Sequence, residues 1–145
     1  MSGEFVVDSN GMLYTCVAGG TPGTWVKQSP FVPLGPARAY VSAQSGGPLS
    51  AGSTRTVSLT PAGFPAGAAA ALVNLTIVNT VGLGFLTLYA QGAPQPSTSN
   101  IGWSASGQSF ANNATTKVGS TGEITVAAGG LGSTNFIIDV FGFYY

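Results

Sequence analysis

Four carboxylates (Glu4, Asp8, Glu123 and Asp139), four cations (Lys27, Arg38, Arg55 and Lys117), one thiol (Cys16) and no histidine are the groups this chain offers for acid–base, nucleophilic or metal chemistry. With no histidine and one cysteine, the usual nucleophile–base pairs cannot be assembled. The acids lie in segments of different character: Asp8 is in a turn, and Asp139 is inside the apolar run Phe136 to Phe141. Nothing in that spacing sets two carboxylates across a cleft, as glycoside hydrolysis requires. No His/Cys cluster and no acids at loop spacing offer a metal site. Gly82-Leu83-Gly84 reads as a turn, because a phosphate loop would need a Lys-Ser/Thr pair and a helix behind it. The expectation is a protein that is not an enzyme and uses no cofactor and no metal.

Two constellations remain. A carboxylate inside an apolar strand needs a partner, so Arg38 and Asp139 are expected to meet as a buried structural ion pair. The aromatic rings of Trp25, Trp103, Tyr40 and Tyr145 could stack on sugars or on a partner if exposed, since each joins a large apolar face to a polar edge. Trp103 is the leading candidate because Ser, Asn and Gly surround it.

The elements that must position these groups read as β structure throughout. Ala71 to Ala90, ALVNLTIVNTVGLGFLTLYA, holds two β-branched and aromatic runs around a short interruption, and the simplest local structure is a hairpin of two long strands. Val73, Leu75 and Ile77 share one face; Leu72, Asn74, Thr76 and Val78 share the other. Further strands are expected at Arg38 to Ser42, Thr54 to Leu59, Ser99 to Trp103, Ser109 to Thr116, Glu123 to Val126 and Asn135 to Phe143, separated by Gly, Pro, Ser and Asn turns. That rhythm predicts an all-β fold, a β-sandwich or jelly-roll-like domain over 37–145. Ahead of it, Glu4 to Val7 and Met12 to Val17 bracket Asp8-Ser9-Asn10-Gly11, a strong hairpin signal, and Trp25-Val26 adds a short strand. Residues 1–28 thus form a small attachment hairpin or meander. Pro30, Pro33 and Pro36 mark 29–36 as an extended linker.

Composition narrows the function further. Only 6% of the 145 residues are charged and the net charge is zero, against about 25% charged in ordinary soluble domains. A neutral surface lacks the repulsion that keeps proteins apart, which favours assembly. Scattered cations argue against nucleic-acid binding. A lone Cys16 excludes an internal disulfide framework and is expected to pack as a small hydrophobe. The opening MSGEFVVDSN lacks a basic and then apolar segment, so synthesis in the cytoplasm without a signal peptide is expected. On that basis the acceptor sequences at Asn74 and Asn113 are fortuitous. No apolar run is long enough for membrane insertion.

Two resemblances follow from particular residues. VDSNGMLYTCVAGGTPGTWVK, Val7 to Lys27, is similar to a short module near the N-terminus of many bacteriophage virion proteins, where it introduces a fibre, tail or head-surface domain. From Gly35 to Tyr144, the blocks GPARAY, GGPLSAGSTRTVSL, GFPAGAAAALVNLTIVNTVGLGFLTLYA, PSTSNIGWSASGQSFAN and GSTNFIIDVFGFYY resemble an all-β domain repeated in secreted actinobacterial proteins and present in phage structural proteins. Members of that family continue from Pro-x-Arg into Asp-Thr-Arg, whereas Arg38 is followed here by Ala39, Tyr40, Val41, Ser42 and Ala43. The resemblances imply a bacteriophage virion structural protein, a capsid decoration or minor capsid protein that binds a major capsid or other virion protein; the apolar strand faces and low charge add the expectation that it self-associates as a homotrimer. A tail-fibre or receptor-binding module that reads a host envelope glycan is the first alternative, and a bacterial surface adhesin domain the second.

Overall fold

The computed structural model describes residues 1–145 and is all-β, with every strand pairing antiparallel. No helix is long and apolar enough to cross a membrane. The chain divides into two compact units, Met1–Pro30 and Phe31–Tyr145.

The first unit is a three-stranded sheet of β1 (Phe5–Val7), β2 (Leu13–Ala18) and β3 (Thr24–Lys27), in that order. The Asp8 carboxylate closes the β1–β2 turn by accepting the backbone N–H groups of Asn10 and Met12, both at 2.9 Å. That local bonding explains why Asp-Ser-Asn-Gly turns here. Cys16 is the buried hydrophobe of this unit, while Phe5, Val6, Val7, Val17, Trp25 and Val26 are exposed.

The second unit is a β-sandwich. One sheet holds β10 (Phe110–Lys117), β7 (Ala70–Val81), β12 (Ser133–Tyr144) and β4 (Phe31–Val41) in that order, with β5 (Leu49–Ser50) also pairing β12. The other holds β6 (Thr54–Ser58), β11 (Glu123–Gly130), β8 (Gly84–Ala90) and β9 (Ile101–Trp103). Alternation does the work the sequence implies: Val73, Leu75 and Ile77 of β7 are fully buried beside Phe136, Ile138 and Val140 of β12. They share one core with Val57, Leu86, Leu88, Ile124 and Val126 of the opposite sheet. Each large side chain fully removed from water there contributes about 1.5–3 kcal/mol.

Two expectations are corrected. The runs in Ala71 to Ala90 are both strands, but they do not form a hairpin. β7 pairs with β10 and β12, whereas β8 pairs with β11 and β9, so the interruption carries the chain from one sheet to the other. Asn79 takes a left-handed conformation (φ 51°) that breaks the β7 register and turns Thr80 inward. The Thr80 hydroxyl then donates to Ala105 O at 2.7 Å and accepts the Gln108 N–H at 2.9 Å, fixing the crossing. Gly132, in the β11–β12 crossing, lies so close to Val81 O that any Cβ there would overlap it.

The expected linker at 29–36 is mostly strand. β4 begins at Phe31 and pairs with β12 from Tyr144↔Phe31 to Ile137↔Val41. Its prolines are tolerated because β4 lies at the sheet edge, where an N–H facing away from β12 has no ladder partner to lose.

Replacing Leu75, fully buried at the centre of β7, by Ala is expected to cost about 2–5 kcal/mol in urea unfolding. The same change at half-exposed Leu83 is expected to stay within about 0.5 kcal/mol. Equal costs at the two positions would contradict the facing described for β7.

Candidate functional site

Each acid is engaged next to its own backbone or beside a single neighbour. Glu4 meets the N-terminal ammonium at 3.2 Å, Asp8 caps its turn, Glu123 accepts the Thr121 hydroxyl at 2.9 Å, and Asp139 meets Arg38. No group of three or more His, Cys, Asp or Glu side chains lies together.

Arg38 and Asp139 do pair, but not in the core. Arg38 Nε donates to Asp139 Oδ1 at 2.8 Å and Nη2 to Oδ2 at 3.3 Å, with the side chains 58% and 19% exposed. The reason is strand alternation: Ile138 and Val140 point into the core, so Asp139 between them points out. Across the outer face of this sheet, register sets Asn113 opposite Asn74, Asn74 opposite Asp139 and Asp139 opposite Arg38, a polar row spanning β10, β7, β12 and β4. The hydrogen bonds to Asp139, and then its charge, raise the Arg38 guanidinium above its usual value. A guanidinium so held stays charged throughout the working pH range.

The four aromatic candidates separate. Trp103 is only 6% exposed and fills the core against Gly84, its register partner, with Nε1 donating to Val81 O at 3.4 Å. Its polar sequence neighbours belong to the loops on either side of β9, not to the environment of the ring. Tyr40 is also structural: its ring packs on Phe136 at 5.2 Å between centroids and its hydroxyl donates to Ser45 O. Tyr145 is 41% exposed and set edge-on to Phe143 at 5.2 Å. Trp25, also 41% exposed, belongs to the other unit. No two of these rings build one platform within a unit.

Arg55, scattered by sequence and assigned no role there, is a structural clamp. Its Nη1 donates to Gly47 O at 2.6 Å and to the Tyr40 hydroxyl at 3.2 Å, its Nη2 to Gly46 O at 3.0 Å, and its Cζ stands 5.9 Å from the Phe136 ring centroid. An arginine satisfied by neutral carbonyls and a ring leaves no trace in a search for opposite charges.

Concavities are shallow. One of about 320 Å³ lies at Pro36, Ala37, Arg38, Asp139 and Phe141, its charges already paired with each other. Another, about 490 Å³, is an open groove lined by Phe85, Gln95, Pro96, Ser97, Thr98 and Ser99. Its signal in sequence is weak: a polar QPSTS run after a strand, where the partner aromatic lies ten residues earlier.

Compared with models of protein families and with curated proteins, the chain matches no family model and shows no significant match to a curated protein.

Trp103→Ala is expected to cost about 3–5 kcal/mol in equilibrium unfolding, as emptying a core aromatic site does. Arg55→Ala is expected to cost about 1–2 kcal/mol by freeing the Ala43–Gly47 loop, and more than Asp139→Asn, whose carboxylate sits at the surface. An Asp139→Asn loss larger than that of Arg55→Ala would overturn this ranking.

Proposed function

We propose that the chain is a bacteriophage virion structural protein, a capsid decoration or minor capsid protein. In this reading it is made in the host cytoplasm, docks on the head shell through its first unit and self-associates as a homotrimer. One observation carries the proposal. The three-stranded N-terminal sheet leaves Phe5 73% exposed and Val7 57% exposed, with Val17, Trp25 and Val26 also in solvent. So small a sheet has little stability of its own, and its exposed apolar side chains, Phe5, Val7 and Val26 on one face and Trp25 on the other beside Cys16, offer contact surface to a partner. A larger partner that covers those side chains supplies what the unit lacks.

The low charge of the chain supports the same reading, because copies of a chain with zero net charge approach without electrostatic opposition. The resemblance of Val7 to Lys27 to virion attachment modules points to a phage shell as the partner. A receptor-reading role built on Trp103 loses its basis, since that ring is in the core.

Purified virions of the phage that encodes the chain are expected to contain it in fixed ratio to the head shell protein. Particles lacking it should take up the full-length protein, and a Val7→Glu/Trp25→Ala variant with unchanged circular dichroism should bind at least about tenfold more weakly. Absence of the chain from purified virions, or full occupancy by the variant, would contradict the proposal.

A further inference from the structure

On the outer face of the β6-β11-β8-β9 sheet, Phe85 stands opposite Gly129 in register, and its ring occupies the space a side chain at 129 would take. Backbone thus supports one face of the ring, while the residue remains 38% exposed. Beside it runs the groove of about 490 Å³ whose other walls are Gln95, Pro96, Ser97, Thr98 and Ser99. That size lies within the range of small-ligand sites.

The groove wall is held in place. The Asn100 N–H donates to Leu86 O at 2.8 Å, Asn100 Oδ1 accepts the Leu88 N–H at 2.7 Å, and Thr98 O accepts the buried Thr87 hydroxyl. Asn112 Nδ2 adds a bond to Asn100 O at 2.8 Å from the opposite sheet. The backbone at Thr98 and Asn100 is therefore anchored before any ligand arrives, which lowers the cost of ordering that end of the wall on binding. Gln95, Ser97, Thr98 and Ser99 are all exposed.

The lining decides the class of ligand. It holds an apolar ring face, an amide that both donates and accepts, three hydroxyls and no ionisable group. A phosphate or sulfate would want a cation here, and a purely apolar ligand would leave the hydroxyls unpaired on binding. A pyranose has what remains: an apolar face of C–H groups for the ring and hydroxyls at its rim for Gln95 and the serines. We propose that this groove is a carbohydrate site for a neutral oligosaccharide, with one sugar ring stacked on Phe85 and its hydroxyls bonded by Gln95, Ser97, Thr98 and Ser99. The site stands independently of the virion reading, since sugar binding and presence in a particle are measured separately.

The test uses the full-length protein on an array of neutral glucose, galactose, mannose and N-acetylglucosamine oligosaccharides. The strongest binder is then followed by saturation-transfer NMR and titration. Binding to at least one neutral oligosaccharide is expected, with saturation passing from Phe85 ring protons. Phe85→Ala should weaken it about tenfold or more, Phe85→Tyr should retain it, and Tyr145→Ala, which removes an exposed ring elsewhere, should leave it unchanged. If Phe85→Ala fails to fold, Gln95→Ala and Ser97→Ala, both at exposed loop positions, carry the same expectation of weakened binding. No binding by the folded protein, binding of acidic glycans or peptides alone, or affinity indifferent to Phe85, Gln95 and Ser97 would overturn the inference.

Discussion

The pairing of β7 with β12 is the interaction on which the rest of the second unit depends. Ile77 faces Phe136, Leu75 faces Ile138 and Val73 faces Val140, and all six are fully buried. Two such inner faces have to be covered by another apolar layer, and the chain supplies it by passing to the opposite sheet at almost every link. After β7 it crosses to β8, after β9 to β10, after β10 to β11 and after β11 to β12. Only β8 and β9 are joined as neighbours within one sheet. The crossings explain features that otherwise look unrelated: the left-handed Asn79, the inward Thr80 and the close approach of Gly132 to Val81. Ser42, also buried, satisfies the Phe136 N–H at 2.8 Å where the β4 ladder ends.

Cohesion of this kind asks little of opposite-charge pairing. The ion pair between Arg38 and Asp139 lies on an outer face, and Arg55 is satisfied by backbone carbonyls and a tyrosine hydroxyl. Buried hydroxyls such as those of Ser42, Thr80 and Thr134 bond to segments distant in sequence, and no buried side-chain polar atom lacks a partner. What faces solvent is mostly amide, hydroxyl, backbone and apolar surface, with few charged side chains. Such a surface has little field with which to steer a polyanion. It is suited to contact, and the exposed apolar side chains of the first unit and the neutral groove at Phe85 are two forms of it.

Strand existence was legible in the residues because period-two alternation is a local property; Val73, Leu75 and Ile77 announce a buried face wherever their partners lie. Partner choice was not, because the β7 partners lie some 30 to 70 residues away along the chain and local patterning contains no term for them. Hence the hairpin reading of Ala71 to Ala90 failed while both of its strands were found. The prolines of β4 read as linker because Pro33 and Pro36 suit an extended connection and an edge strand equally. For Asp139 the apolar neighbours in sequence suggested burial, yet alternation sets it on the opposite face from them. Trp103 misled in the reverse direction, its polar neighbours lying in the loop while its ring enters the core over Gly84. The groove at Phe85 needed two segments brought together by the β8–β9 turn and a glycine on a third strand, a coincidence visible only once the sheet is assembled.

In the proposed function these properties serve adhesion through uncharged surfaces, to copies of the chain and to a larger partner. The most direct test is the self-association constant of the full-length chain by sedimentation velocity at low and high salt. Contacts between neutral faces predict a stable oligomer whose association constant changes by less than about threefold between roughly 50 and 500 mM salt. A chain that stays monomeric at both, or an oligomer that weakens by more than about tenfold as charge is screened, would contradict the account.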